Sequence, residues 1–140
     1  MSSRKFTIRE QAAAAFETAL ISAGMQRWTG KEDKPKYWRG RVDSQGMLED
    51  LFLLYTVTDN LELDAADNKS FRRDIYINGQ IYTRSGFSNG DFQDLCEAIQ
   101  DAMDEAGIIF IINGEGVDTS IDQDAPVYYV NFECEQRLLV

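Results

Sequence analysis

Apolar positions recur with a helical period near the start of the chain, where Ile8, Ala12, Phe16, Ala19, Leu20 and Ala23 fall on one face. Thr7 and Glu10 stand in the capping-box relation ahead of that stripe, and Gly24 follows it where a helix takes its terminating glycine. The pattern predicts a helix over 8–23. A second stripe, Phe92, Leu95, Cys96, Ile99, Met103 and Ala106, runs opposite a polar face of Glu97, Gln100, Asp101, Asp104 and Glu105. Ser88, Asn89 and Asp91 offer caps at its start, Asp91 and Asp94 suit the positive end of the helix dipole, and Gly107 ends it.

Elsewhere the period is two or absent. Residues 48–58 are bulky and read as a strand. Residues 59–70 form a turn-rich tract in which Asp64, Asp67 and Asn68 serve as turn residues. Over 71–84, Ile75, Ile77 and Ile81 stay in phase although Asn78-Gly79 lies among them. Local rules favour a hairpin there, and a single long strand containing the glycine is the alternative. Ile108 to Ile112 is a continuous apolar run, expected to be a buried strand. A loop rich in Gly and Asp is expected over 113–125. A last strand over 126–136 points Tyr128, Val130, Phe132 and Cys134 inward and Tyr129, Asn131 and Glu133 outward. The order α-β-β-α-β-β predicts an α+β fold, a two-layer α/β sandwich with two helices on one mostly antiparallel sheet. Its 140 residues suit one domain, 1–140.

Residues 25–46 break this pattern. Gly30, Pro35, Gly40 and Gly46 interrupt them, and they carry both tryptophans, Trp28 and Trp38, with six of the bases. Either the tryptophans fold back on the core, or the segment is an assembly arm with the aromatic and arginine anchors common in interface hot spots. Both long loops, 25–46 and 113–125, are expected to be mobile in a free subunit and ordered in an assembly.

Net charge is −10, unevenly spread. Residues 1–41 carry nine bases and four acids, whereas 88–125 carry ten acids and no base. No basic footprint dominates, so sequence-specific nucleic-acid binding is not expected. The acidic block is either a solvated face or one half of a charge-matched contact between subunits. No apolar run approaches the ~18 residues of a membrane span, and no apolar leader follows Met1-Ser-Ser-Arg-Lys-Phe6. The expectation is a cytosolic origin and no membrane partner. Cys96 and Cys134 sit at apolar positions and read as reduced core thiols.

Candidate chemistry is sparse. The chain has no histidine, the commonest general base and zinc ligand. It has no Gly-rich nucleotide loop. Ser85-Gly-Phe-Ser-Asn-Gly90 reads as a loop and helix cap rather than an anion cradle, since no base follows inside the helix. Asp118, Asp122 and Asp124 lack the spacing of a calcium loop. No catalytic residue, metal site or cofactor is assigned, and a non-enzymatic protein is expected.

The chain resembles the tail-terminator, or tail-completion, proteins of tailed phages and prophages, a family that includes minor capsid and neck proteins. The resemblance covers about 50–135. It rests on Phe52-Leu-Leu-Tyr-Thr56, Ala66-Asp-Asn-Lys69 and Ile81-Tyr-Thr-Arg84, then on the helix Leu95 to Ala106 with Glu105-Ala-Gly107-Ile108, and on Tyr128-Tyr-Val-Asn-Phe-Glu133. It favours one long strand through 71–84, the reading adopted. It implies a virion protein, assembled in the host bacterial cytoplasm. Such proteins form a homo-oligomeric ring, often hexameric, that caps the tail tube and meets tail-tube and head-neck proteins. DNA would pass through the lumen. The alternatives are another neck or minor capsid role, or a monomeric acidic adaptor that binds a protein partner. For a ring, the expected subunit contacts are Trp28, Tyr37, Trp38, Arg39 and Arg41 against Asp101, Asp104, Glu105, Asp118, Asp122 and Asp124, the aromatics supplying area and the charges orientation.

Overall fold

The computed structural model describes residues 2–27, 34–40, 50–63, 71–118 and 126–139. Its elements are α1 (Ser2–Ser22), β1 (Gln26–Arg27), β2 (Lys36–Arg39), β3 (Leu51–Leu63), β4 (Phe71–Thr83), α2 (Gly90–Glu105), β5 (Ile109–Asp118) and β6 (Val127–Leu139). The class is α+β, as expected. The order differs from α-β-β-α-β-β because β1 and β2 come between α1 and β3. All six strands belong to one sheet, ordered β1-β2-β3-β4-β6-β5. The pairs β1–β2 and β2–β3 are parallel, and the other three are antiparallel.

Several boundaries differ from the sequence reading. α1 starts at Ser2, so Thr7 lies inside the helix and the expected capping box is not its N-terminus. The expected loop 25–46 contains two strands, because Tyr37 and Trp38 are both buried and draw β2 into the sheet. The third strand runs on to Leu63, since β4 pairs with it along its whole length. The expected loop 113–125 is strand as far as Asp118. Trp28 and Arg41, with 28–33 and 41–49, lie outside the described residues, as do 64–70 and Asp122 and Asp124.

Both helices end in the same motif. The Met25 N–H donates to the Leu20 carbonyl and the Gly24 N–H to Ile21; the Ile108 N–H donates to Met103 and the Gly107 N–H to Asp104. These are the paired bonds of a Schellman cap, in which the glycine takes positive φ, here 94° and 73°. Met25 with Leu20, and Ile108 with Met103, are buried apolar pairs that seal each cap. The caps turn the chain from helix into β1 and β5. At the other end of α2, Asn89 is the N-cap and accepts from the Phe92 N–H at 3.0 Å.

The core lies between the helices and one face of the sheet. Ala12, Ala13, Phe16, Ala19 and Leu20 of α1, and Phe92, Leu95, Ile99, Ala102 and Met103 of α2, are buried there. Ala102 fills an inward position, while Cys96 is half-buried and Ala106 is exposed. β4 runs unbroken through Asn78-Gly79, with Gly79 opposite Tyr55 on one side and Phe132 on the other. Ile75, Ile77 and Ile81 are fully buried, so the period of two persists across the glycine. Gly79 serves close approach rather than a turn: a Cβ there would collide with the Leu54 carbonyl and lie 2.9 Å from the Phe132 ring. Gly79→Ala is therefore expected to cost about 3 kcal/mol by overpacking. Urea unfolding checks this, and a cost near zero would mean that the strands can part to admit a methyl group.

The opposite face carries a row of aromatics across four strands. Trp38 meets Phe52 edge-on at 5.5 Å, Phe52 stacks on Tyr82 at 4.5 Å, and Tyr82 lies 5.6 Å from Tyr129.

Candidate assembly surface

The sequence Ile108-Ile-Phe-Ile-Ile112 is uniformly apolar, yet its residues divide between faces. β5 is the last strand of the sheet and, among the described residues, pairs only with β6. Phe110 lies opposite Cys134 and is buried. Ile109 and Ile111 lie opposite Glu135 and Glu133, on the face away from the helices, and are 58% and 55% exposed. A bulge between Ile112 and Gly114 shifts the register. Ile112 and Val117 return to the helix side, where the helices leave them 40% and 50% exposed. The expected buried strand is thus an edge strand with apolar side chains on both faces. An exposed apolar edge strand is a template for association.

Acids surround this edge. Glu115 and Glu133 are exposed, as are Asp101, Asp104 and Glu105 on the outer face of α2. Asp104 accepts from the Gln100 side chain at 3.1 Å. Asp118 ends β5 and is half-buried. Among the described residues, no group of three or more His, Cys, Asp and Glu is arranged to hold a metal.

The other end of the sheet is built around Glu17. Its carboxylate accepts hydrogen bonds from the Tyr37 hydroxyl at 3.0 Å and from the Tyr55 hydroxyl, and lies 3.8 Å from Arg27 Nη1. One turn further along the same side of α1 stands Ile21, 58% exposed. Arg27, on the outermost strand, has a side chain 67% exposed, and Lys34, which precedes β2, is exposed too. Arg39 makes a two-pronged pair with Glu10, at 2.6 and 2.8 Å. That hydrogen-bonded pair lowers the Glu10 pKa and raises that of Arg39.

These positions correct part of the expected contact set. Tyr37 and Trp38 are 3% and 7% exposed, so their rings fill this chain's own interior and offer little area to a neighbour. Arg39 is engaged with Glu10. Asp101, Asp104 and Glu105 are on the surface, as a contact set requires. Ile21, Ile109, Ile111, Ile112 and Val117 are exposed and do not belong to that expected set. Only the bulge-prone Asn113-Gly114 hinted that the apolar run meets an edge.

Compared with known proteins, the chain matches no protein-family model and no curated sequence.

The buried hydroxyls and thiols are held neutral. Burial and the bond to Glu17 push the Tyr37 pKa up to about 12, and the same two causes raise that of Tyr55. Burial lifts Cys96 to about 11 and Cys134 to about 12, which keeps both thiols poor nucleophiles. For Tyr37 the protonated form is the one favoured by folding. Its contribution to stability is complete below the ordinary phenol value of 10.0 and is lost as pH rises through about 12. Phenolate absorbance from Tyr37 is expected only near pH 12, and Glu17→Gln should move it to lower pH. Ionisation of Tyr37 at its ordinary pH in the folded protein would show that the Glu17 contact is not kept in solution.

Proposed function

We propose that this chain is a structural protein of a tailed-phage virion, assembled in the host bacterial cytoplasm, whose copies form a ring that caps the tail tube and helps join it to the head. The observation that carries the reading is the unlike character of the two sheet edges. One edge is apolar and acidic, the other basic with an exposed isoleucine. A chain with two such ends associates with copies of itself in one direction, and such association closes into rings when the rotation permits. The resemblance over 50–135 supplies the tail and the head as partners. Polar side chains such as Gln80 and Asn131, joined at 3.2 Å, and the exposed Glu133 occupy the sheet face away from the helices. Turned toward a lumen, Gln80, Asn131 and Glu133 would offer DNA phosphates no cationic partner. No catalytic role is part of this reading. Co-sedimentation with tail tubes of its phage tests it: the protein should pellet in a small fixed ratio to tubes, independent of tube length. Binding all along the tube would contradict capping.

A second reading, a monomeric acidic adaptor, draws on a groove of about 490 Å³ lined by Ala23, Pro35, Leu51 and Leu95 with Asp91 and Asp94. Apolar walls with two carboxylates suit a basic amphipathic segment. Light scattering separates the readings, since the adaptor stays a monomer at all concentrations and the ring does not.

A further inference from the structure

Four of the five large hydrophobics exposed among the described residues lie on β5: Ile109, Ile111, Ile112 and Val117. The fifth, Ile21, stands at the opposite end of the sheet beside Arg27. We infer that copies of this chain join head to tail, the β5 edge of one copy seating against the α1–β1 edge of the next, so that Ile112 and Val117, on the helix side of the sheet, cover Ile21 while Glu115 on that same side faces Arg27. The inference rests on the ring reading and names the surfaces that make the ring.

Charge selects this pairing over the symmetric ones. Two β5 edges laid together would bring Glu115 and the acids Asp101, Asp104 and Glu105 of both copies into one contact. Two α1–β1 edges would bring the Arg27 side chains of both copies into one contact. Like charges brought together in a partly desolvated contact oppose association, whereas unlike edges attract and are steered together. Each exposed pair contributes little by itself, so the aliphatic side chains supply the area and the charges the direction. Geometry agrees. The two edges terminate the same six-stranded sheet, so one copy can hold a neighbour on each side without either contact blocking the other. Arg27 is also held in position, because its strand is parallel to β2 and β2 is tied to α1 through Tyr37 and Glu17. β1 has two residues only, which makes the contact one of side chains more than of a continued hydrogen-bond ladder.

Two variants, Val117→Glu and Ile21→Glu, test the pairing. The two positions are 50% and 58% exposed, so both variants should fold, as circular dichroism and an unchanged melting curve would show. Mass is read by light scattering under the conditions in which wild-type rings form, on tail tubes if they are required. Each variant alone is expected to stay monomeric, with self-association weakened at least tenfold. An equimolar mixture is expected to give a 1:1 dimer and nothing larger. One intact contact remains there, between the α1–β1 edge of the Val117→Glu copy and the β5 edge of the Ile21→Glu copy. Self-association of Ile21→Glu into dimers would show β5 pairing with itself and overturn the inference. Rings from either variant alone would place the contact elsewhere, overturning the inference while the ring reading stands. Wild-type protein that stays monomeric with and without tubes would remove the ring reading and the inference with it.

Discussion

Replacing Phe132 by alanine should destabilise the fold by about 3–5 kcal/mol, the upper range for a buried aromatic. The ring is 2% exposed and stands at the centre of the core's aromatic cluster. It stacks on Phe110 at 5.2 Å and on Phe16 at 5.8 Å, and Phe16 in turn meets Tyr55 at 4.9 Å. Its other neighbour is Gly79, which has no side chain to relax into the space left behind. The cavity would therefore stay open, which places the cost high in the range. Phe132 also holds the register of β6 between β4 and β5. Loss of the ring should loosen the edge strand, so assembly should fall with stability. Denaturant unfolding measures the first effect, and a loss below about 1 kcal/mol would mean that β6 packs by other contacts.

Ile99→Ala should cost about 2–5 kcal/mol. Ile99 is fully buried at the middle of α2, with Leu95 and Met103 on either side of it along the helix. α2 is held by this one apolar stripe, its outward face being acidic and exposed. Shortening the central side chain weakens the helix that backs the β5 edge. The same unfolding experiment reads it, and a change under about 0.5 kcal/mol would show that the helix is anchored elsewhere.

How much of this was legible follows from where the signal lies. The α2 stripe was legible because a period of 3.6 survives any uncertainty about neighbours, and only Cys96, Ala102 and Ala106 shifted by a position on the face. In β4 the local Asn78-Gly79 signal favoured a hairpin, and the single strand came from the resemblance; the phase that Ile75, Ile77 and Ile81 keep through the glycine agrees with it. β1 and β2 were not legible, since they are two and four residues long and lie in a polar tract. Lys36, Tyr37 and Trp38 are buried in succession, so no alternation marks the strand. Tyr37 and Trp38 looked like interface anchors because the residue types that suit hot spots also suit cores. The Arg39 to Glu10 pair spans 29 positions and depends on how α1 packs. Strand order decides the rest. A run such as Ile108 to Ile112 has the same composition in the middle of a sheet and at its edge, and only pairing with β6 alone exposes Ile109 and Ile111. The acids of 88–125 were visible at once, but not that Glu115 lies on the edge strand at the other end of the sheet from Arg27, while Asp91 and Asp94 line a groove with Ala23 and Pro35.

If identical copies of this chain close the end of a tube as a ring, negative-stain electron microscopy of the protein mixed with tail tubes of its phage will show it. A rotationally symmetric ring is expected at tube ends in class averages, absent from tubes alone and lost with Val117→Glu. Bare tube ends, with the protein remaining free as a monomer at the same concentrations, would contradict it.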